Sequence, residues 1–356
     1  MRLGFIGPAL GRPSGGSTYN AEVLVHWPAS LPRPASVELA GAWPEPDAAA
    51  LSALRAALGR FDAAIVDGLV GAAQPEILAE ATASGRRVLL LIHLPLADEG
   101  GLDEADRARL EALECASVRA AWRVVATSRR AAADVARRHG RPDAVAVAPG
   151  VNPAPVAPPH SPPHLLSIGA IGPLKNQLAV ASALTACADL VWRASLVGPV
   201  ADPAYADAVA AALHTIPTHG VSNAGPHGVP AEPRVRLTGP RTGAVLDATW
   251  ASGDLLLHPS RVETYGLVVT EALARGIPAI VGRGTGAEEA LESARGGPLP
   301  GAAVGPEDHA ALTALLRRWL TDPALRRAWR AAALDARPRL RPWDAAASDL
   351  ARCLAD

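Results

Sequence analysis

Lysine is almost missing from this sequence. Of its 34 basic residues one is lysine, Lys175, and the others are arginine. With abundant alanine, glycine and proline this indicates a GC-rich coding bias, under which a surviving lysine hints at a local need that arginine does not meet. Cysteine is scarce as well. Cys115, Cys187 and Cys353 lie far apart, odd in number, without CxxC spacing or a histidine cluster at ligand separation. Disulfide scaffolding and structural zinc therefore drop out, and a reducing, cytoplasmic setting fits. Long hydrophobic runs are absent too: the longest, Val88 to Ala97, is interrupted by His93 and Pro95 and falls far short of the ~20 residues a membrane helix needs. Arg2 to Gly7 ends in a Gly/Pro cluster with no cleavage-site pattern behind it, so it reads as a buried strand rather than a secretion signal. Nor is there an excess of charge of one sign. The net charge is −1 and neither half is a polycation, which speaks against bulk binding to nucleic acid or anionic lipid.

What is present suits two compact domains: 356 residues, 49% hydrophobic and 19% charged. Near mid-chain, from Pro149 to Pro163, seven of fifteen residues are proline, a density no helix or strand interior tolerates, and it reads as a stiff interdomain linker. On either side short apolar runs alternate with Ala/Leu/Arg stretches of helical period, the pattern of βα units around a buried parallel sheet. Before the linker the runs are Arg2–Gly7, Val37–Gly41, Ala63–Gly68, Val88–His93, Val124–Ser128 and Val145–Ala148. After it they are Leu165–Gly169, Trp192–Gly198, Val235–Gly239, Leu255–Pro259 and Pro278–Gly282. The expected fold class is α/β, with two Rossmann-like doubly wound domains, 1–155 and 156–340, facing across a cleft. A terminal helix over 341–356, opened by Arg341-Pro342-Trp343, should pack back on the first domain, with Trp343 as its anchor. In such sheets ligands bind at the carboxyl ends of the strands.

Two further segments stand out. His214 to Pro233 is rich in glycine and proline and reads as a long mobile loop; its three histidines are too irregularly spaced for a metal site. Pro306 to Ala336 reads as two helices separated at Asp322-Pro323, a helix-start signal.

Chemistry concentrates in Leu255 to Ile280. A buried strand ends at His258-Pro259-Ser260, and a helix begins near Tyr265-Gly266 and runs to Arg275, with Gly276 as its stop. Glu263 lies just ahead of that helix and Glu271 about a turn and a half inside it. Both can face a ligand lying across the helix start, and the free N–H groups of Thr264, Tyr265, Gly266 and Leu267 would suit a phosphate there. Carboxylates that accept bonds from hydroxyls beside a phosphate site fit a sugar nucleotide. The plainer alternative is that Glu263 caps the helix and Glu271 is a solvated residue.

The same segment resembles the Glu-x7-Glu signature of the retaining glycosyltransferases of family 4, which have the GT-B fold. The matching residues are Pro259-Ser260, Glu263, Tyr265-Gly266-Leu267, Glu271-Ala272-Leu273-Ala274, Gly276 and Pro278. Further likenesses follow in order along nearly the whole chain. Gly15-Gly16 resembles the family's N-terminal glycine loop, and His93 the histidine that ends its fourth strand. Thr127-Ser128 and Pro149-Gly150-Val151 resemble the last strands of its first domain, and Leu166–Asn176 the start of its second.

The resemblance implies a retaining, metal-independent glycosyltransferase without a cofactor, taking a nucleoside-diphosphate sugar as donor. Glu263 would bond hydroxyls of the donor sugar, Glu271 the ribose, and Lys175 would neutralise the diphosphate as charge grows on the leaving group. His93 would touch the donor sugar near the reacting centre. Gly15 and Gly16 would close over the phosphates, and Gly169 would line the donor site. The C-terminal domain would hold the donor and the N-terminal domain the acceptor, near Tyr19, Asn20 and Asp98. With a neutral N-terminal half and a helix Asp103–Trp122 of mixed sign, a small soluble acceptor is expected, in natural-product or saccharide biosynthesis, without strong membrane association.

One departure matters. Where the family pattern has Gly-Arg followed by a lysine five residues later, this chain has Ala170 in the arginine position. Arg241, Arg261 and Arg12, in that order, are candidate replacements. The departure also motivates a second reading, a sugar-nucleotide-binding protein of the same fold with impaired turnover. A nicotinamide-dependent oxidoreductase ranks last, because Gly7 to Gly16 lacks GxGxxG spacing and no acidic residue ends the next strand.

Overall fold

Apolar runs and Ala/Leu/Arg stretches become strands and helices in alternation in the computed structural model, which describes residues 1–10, 14–216 and 234–355. They form two units, Met1–Gly150 with Arg341–Asp356, and Val151–Leu340.

The first unit contains β1 (Leu3–Pro8), β2 (Ala35–Leu39), β3 (Ala63–Asp67), β4 (Arg87–Ile92), β5 (Arg123–Ala126) and β6 (Val145–Ala146). They pair in parallel in the order β2-β1-β3-β4-β5-β6. β3 is wholly buried and β4 is buried after Arg87, as parallel strands must be when helices cover both faces. The terminal helix Trp343–Arg352 belongs to this unit. Its Trp343 is 3% exposed and meets the Tyr19 ring edge-on at 5.8 Å. Gly150 lies so close under the returning chain that a Cβ there would stand 2.4 Å from the Trp343 nitrogen.

The second unit contains β7 (His164–Ile168), β8 (Arg193–Val197), β9 (Val235–Leu237), β10 (Leu255–His258), β11 (Ala279–Gly282) and β12 (Gly301–Val304), in the order β12-β11-β10-β7-β8-β9. Counted within the unit and read from the far edge, this is the order 3-2-1-4-5-6 of dinucleotide-binding sheets. Successive strands build outward from β7 to β9, and the chain then crosses to β10 on the other side of β7. Two crossovers that leave neighbouring strands in opposite directions open a crevice at their carboxyl ends, here between β7 and β10. In the first unit the corresponding reversal lies between β1 and β3.

Three expectations need correction. β12 carries no β-branched alternation, being Gly-Ala-Ala-Val, and becomes a strand only by pairing with β11. Its Gly301 has φ +144, and a Cβ there would stand 1.8 Å from the Ala279 carbonyl oxygen. The helix after β10 spans Leu267–Ala274 and starts behind Gly266, whose φ of +91 a side chain would disfavour; Thr264 and Tyr265 thus precede it. Gly15 and Gly16 open the helix Gly15–Val25 instead of forming a loop, because Ser14 and Ser17 make a reciprocal capping box. Asp322 does close one helix and cap the next, accepting from the Ala324 and Leu325 amides. Residues 217–233, most of the expected loop, and Arg12 lie outside the described residues.

Candidate functional site

The crevice of the second unit is built from two turns. After β7 the chain passes through Gly169 and a 3₁₀ turn, Pro173–Lys175, into the helix Gln177–Ala186. Between turn and helix sits Asn176, fully buried and left-handed at φ +59. Its side-chain nitrogen donates to the carbonyls of Pro259 at 3.1 Å and Pro306 at 2.8 Å. From the turn after β10, the Arg261 amide donates to the Leu174 carbonyl at 2.8 Å, and its guanidinium to that of Pro173 at 3.1 Å. These bonds fix one turn against the other, which places Lys175 beside Glu263.

Lys175 Nζ is 2.6 Å from Glu263 Oε2. His258 Nε2 lies 3.0 Å from the same oxygen and 3.1 Å from Ser260 Oγ. The Glu263 side chain is 14% exposed and that of Lys175 27%. Burial alone would push the Glu263 carboxyl up, but the Lys175 ammonium and the His258 hydrogen bond outweigh it and hold the group well below the usual carboxylate range. Glu263 is therefore an anion at any ordinary pH, with Lys175 as its counter-ion.

Glu271 does not join that contact. It is partly buried on the helix Leu267–Ala274, and burial pushes its carboxyl up to about 7, against the Arg275 charge. Arg275 itself bonds the Glu271 carbonyl and Asp247. Among the described residues nothing donates to the Glu271 carboxylate, so its oxygens are available to a hydroxyl.

The turn ahead of that helix is covered as well as capped. Gly286 donates to the Glu263 carbonyl at 2.6 Å, and a Cβ on Gly286 would stand 2.2 Å from the Thr264 oxygen and 2.5 Å from the Tyr265 nitrogen. Tyr265 is 4% exposed. Thr264 and Tyr265 thus carry the packing of the turn, while the open helix start belongs to Leu267 and its successors behind Gly266. Gly169 sits beside Lys175 with φ +150, a conformation side chains disfavour; a Cβ there would meet Lys175 Cγ at an ordinary contact distance of 3.8 Å.

Two of the candidate arginine replacements, Arg241 and Arg261, lie among the described residues, and each has another partner. Arg241 donates to Thr249 Oγ1 at 2.7 Å, and Arg261 makes a forked pair with Glu307 at 2.5 and 3.2 Å. In the position of the missing arginine, the Ala170 carbonyl accepts from Gln177 Nε2 at 2.8 Å.

The first unit gathers a second cluster at its own strand reversal. Asn20, on the helix after β1, donates to Asp67 Oδ2 at 2.6 Å, and its side-chain oxygen is 2.8 Å from His93 Nε2. Asp67 ends β3 and is 4% exposed. Burial pushes its carboxyl up, yet the hydrogen bonds from His93, Asn20 and the Leu69 amide bring it below its ordinary value. The His93 ring lies against Gly16, where a Cβ would approach it to 3.0 Å, and meets Tyr19 edge-on at 5.2 Å.

Two of the expected acceptor residues have partners within the first unit. Tyr19 is 1% exposed and spends its hydroxyl on the Val147 carbonyl at 3.1 Å, so it is a core residue. Asp98 is held in a forked pair by Arg138, at 2.9 and 3.1 Å. Asn20 remains, but as the bridge between Asp67 and His93. Sequence reasoning passed over Asp67 and took His258 only as a strand end. Both are polar residues that close apolar strands at the carboxyl edge, and that placement is the signal that could have found them.

Residues 229–335 match the family model described as Glycosyl transferases group 1. A stretch of 134 residues is 35% identical to D-inositol 3-phosphate glycosyltransferase of Salinispora tropica, covering 38% of this chain and 26% of that protein. The chain therefore spans only about a quarter of that relative's length. Solved structures match over the whole length. HepE of Anabaena in complex with UDP-glucose superposes with a TM-score of 0.75 at 16% identity, covering 100% of both chains. Sucrose-phosphate synthase of Thermosynechococcus elongatus superposes with a TM-score of 0.72 at 18% identity, covering 99% of this chain and 98% of that one. The fold is thus that of GT-B glycosyltransferases, two parallel six-stranded α/β sheets. Among the described residues no helix is long and apolar enough to cross a membrane.

Proposed function

We propose that the protein is a retaining glycosyltransferase of family 4, moving a sugar from a nucleoside-diphosphate sugar to a hydroxyl of a small acceptor. The observation that carries this reading is the contact of Lys175 with Glu263 at 2.6 Å in the crevice between β7 and β10. There a permanent carboxylate and an ammonium meet where an α/β sheet of this order receives nucleotides. A carboxylate accepts from sugar hydroxyls, an ammonium neutralises phosphate, and the available Glu271 carboxylate suits the ribose. In the first unit, His93, oriented by Asn20 and Asp67, is assigned contact with the transferred sugar. The match of residues 229–335 to group 1 glycosyl transferases supports the same reading.

In this proposal the acceptor hydroxyl attacks the anomeric carbon on the face the diphosphate leaves. The departing phosphate takes up the acceptor's proton, and no covalent glycosyl-enzyme forms. Lys175 and the amides of the helix start stabilise the charge that builds on the diphosphate. No cofactor and no divalent ion are needed, since those donors do the work a metal does elsewhere.

Ala170 favours a second reading, a binding protein of this fold that releases no product, because Arg241 and Arg261 are each occupied by another partner. A thermal-shift panel of UDP-, GDP-, ADP- and dTDP-sugars tests both, since a ligand bound only by the folded state raises the melting temperature. Stabilisation by one of them, with nucleotide release and retained anomeric configuration once an acceptor is added, is the expected outcome. Stabilisation without release selects the binding protein, and no stabilisation by any donor removes both.

A further inference from the structure

Glu263 receives two donors, and both reach the same oxygen. Lys175 Nζ and His258 Nε2 both reach Oε2, at 2.6 and 3.0 Å, while among the described residues Oε1 accepts no hydrogen bond. An ionised carboxylate only accepts, so the imidazole must carry its proton on Nε2. The two donors differ in freedom. Lys175 is a point charge on a four-carbon stem and its side chain is 27% exposed. His258 is the last residue of the buried strand β10 and is 3% exposed, and Ser260 beside it is fully buried.

These two facts conflict with a simple division of labour. The ammonium assigned to the diphosphate is the same one that anchors the carboxylate assigned to the sugar. If Lys175 moves toward phosphate oxygens and nothing else holds Glu263, a mostly buried carboxylate is left without a partner, a costly state, and it is free to turn away from the sugar.

We propose that His258 is the positioning residue that resolves this. Its Nε2–H keeps hold of Glu263 Oε2 while Lys175 shifts onto the diphosphate, so that Oε1 stays turned to the donor sugar. Glu263 then recognises one sugar hydroxyl through one oxygen rather than two hydroxyls through a fork. The inference rests on the reading of this crevice as a sugar-nucleotide site.

The test compares affinities of the full chain for matched pairs, UDP with UDP-glucose and likewise the GDP, ADP and dTDP pairs, by titration calorimetry. His258→Leu removes the donor, and His258→Gln restores an N–H at about the reach of Nε2. His258→Leu should weaken sugar-nucleotide binding about tenfold, the worth of one charge-assisted hydrogen bond, and change binding of the bare nucleotide less than about twofold. His258→Gln should recover most of the loss. If His258→Leu does not fold, His258→Asn, whose shorter amide stops short of Glu263, is set against His258→Gln with the same expectation. Equal weakening of nucleotide and sugar nucleotide, which a merely structural role would produce, overturns the inference, as does an unchanged affinity. If the unaltered chain binds none of the pairs, the sugar-nucleotide reading falls first and the inference falls with it.

Discussion

Asn20 and Asp67 meet at 2.6 Å across 47 residues of sequence, at the point where the first sheet reverses its strand order. The bond joins the helix after β1 to the end of β3, and the other end of the same amide meets His93. The imidazole is thus oriented by a side chain that is itself held by a buried carboxylate, as ligating and catalytic histidines commonly are.

Removing the bridge tests that arrangement. Asn20→Ala leaves Asp67 short of a donor in a buried place and should cost about 1–3 kcal/mol by urea unfolding. Turnover should fall more than affinity for the nucleotide. The Asp67 carboxyl is depressed in the folded state, so its stabilisation is present above the unfolded carboxylate pKa and is lost as pH falls through the folded one. Asp67→Asn should flatten the acid limb of the stability curve. An unchanged acid limb would show that the carboxylate is not held as described.

Lys175→Ala should lower turnover about 100-fold, the usual effect of deleting a preorganised donor to a charged transition state. Added Mg2+ should not rescue it, and EDTA should leave the unaltered enzyme at full rate. A rate that collapses on chelation would assign the charge to a metal instead.

Glu271 binds the ribose as an anion in this reading, and its carboxyl titrates at about 7. Nucleotide affinity should therefore rise between pH 6 and pH 8, in proportion to the ionised fraction. Glu271→Gln should remove the dependence. The sign for stability is opposite. A carboxyl raised in the folded state binds its proton more tightly there than in the unfolded chain, so stability falls as pH rises from the unfolded value to about 7. Melting curves of Glu271→Gln should gain on the parent at pH 8 and not at pH 4.

Gly286→Ala puts a methyl group into the backbone of Thr264 and Tyr265, where no flexible side chain can yield. It should cost about 1–3 kcal/mol and weaken sugar-nucleotide binding by displacing Glu263. Parent-like stability and affinity would mean that the turn is looser than its packing implies.

Much of this was legible in the sequence. Eleven of the strands coincide with the apolar runs to within two residues; for the central strands this is because a buried parallel strand must be apolar on both faces, and that requirement is local. β12 escaped because Gly-Ala-Ala-Val has no pattern of its own and depends on β11 for its conformation. The lone lysine and the spaced pair of acids stood out for the same local reason. The partners of Tyr19 and Asp98 were not legible, because a tyrosine near a glycine pair, or an aspartate in a loop, looks alike in sequence whether it faces solvent or bonds Val147 or Arg138.

Composition and periodicity alone determined the α/β class, the doubly wound halves and the segment that carries the spaced acids Glu263 and Glu271, since each is expressed within a few consecutive residues. Tertiary structure alone decided which of those residues meet. Lys175 and Glu263 stand 88 positions apart and touch because the chain lays β10 beside β7 on the side away from β8. His258, Asn20 and Asp67 acquire their partners in the same way. Strand order is a property of how whole βα units pack, and no window along the chain contains it.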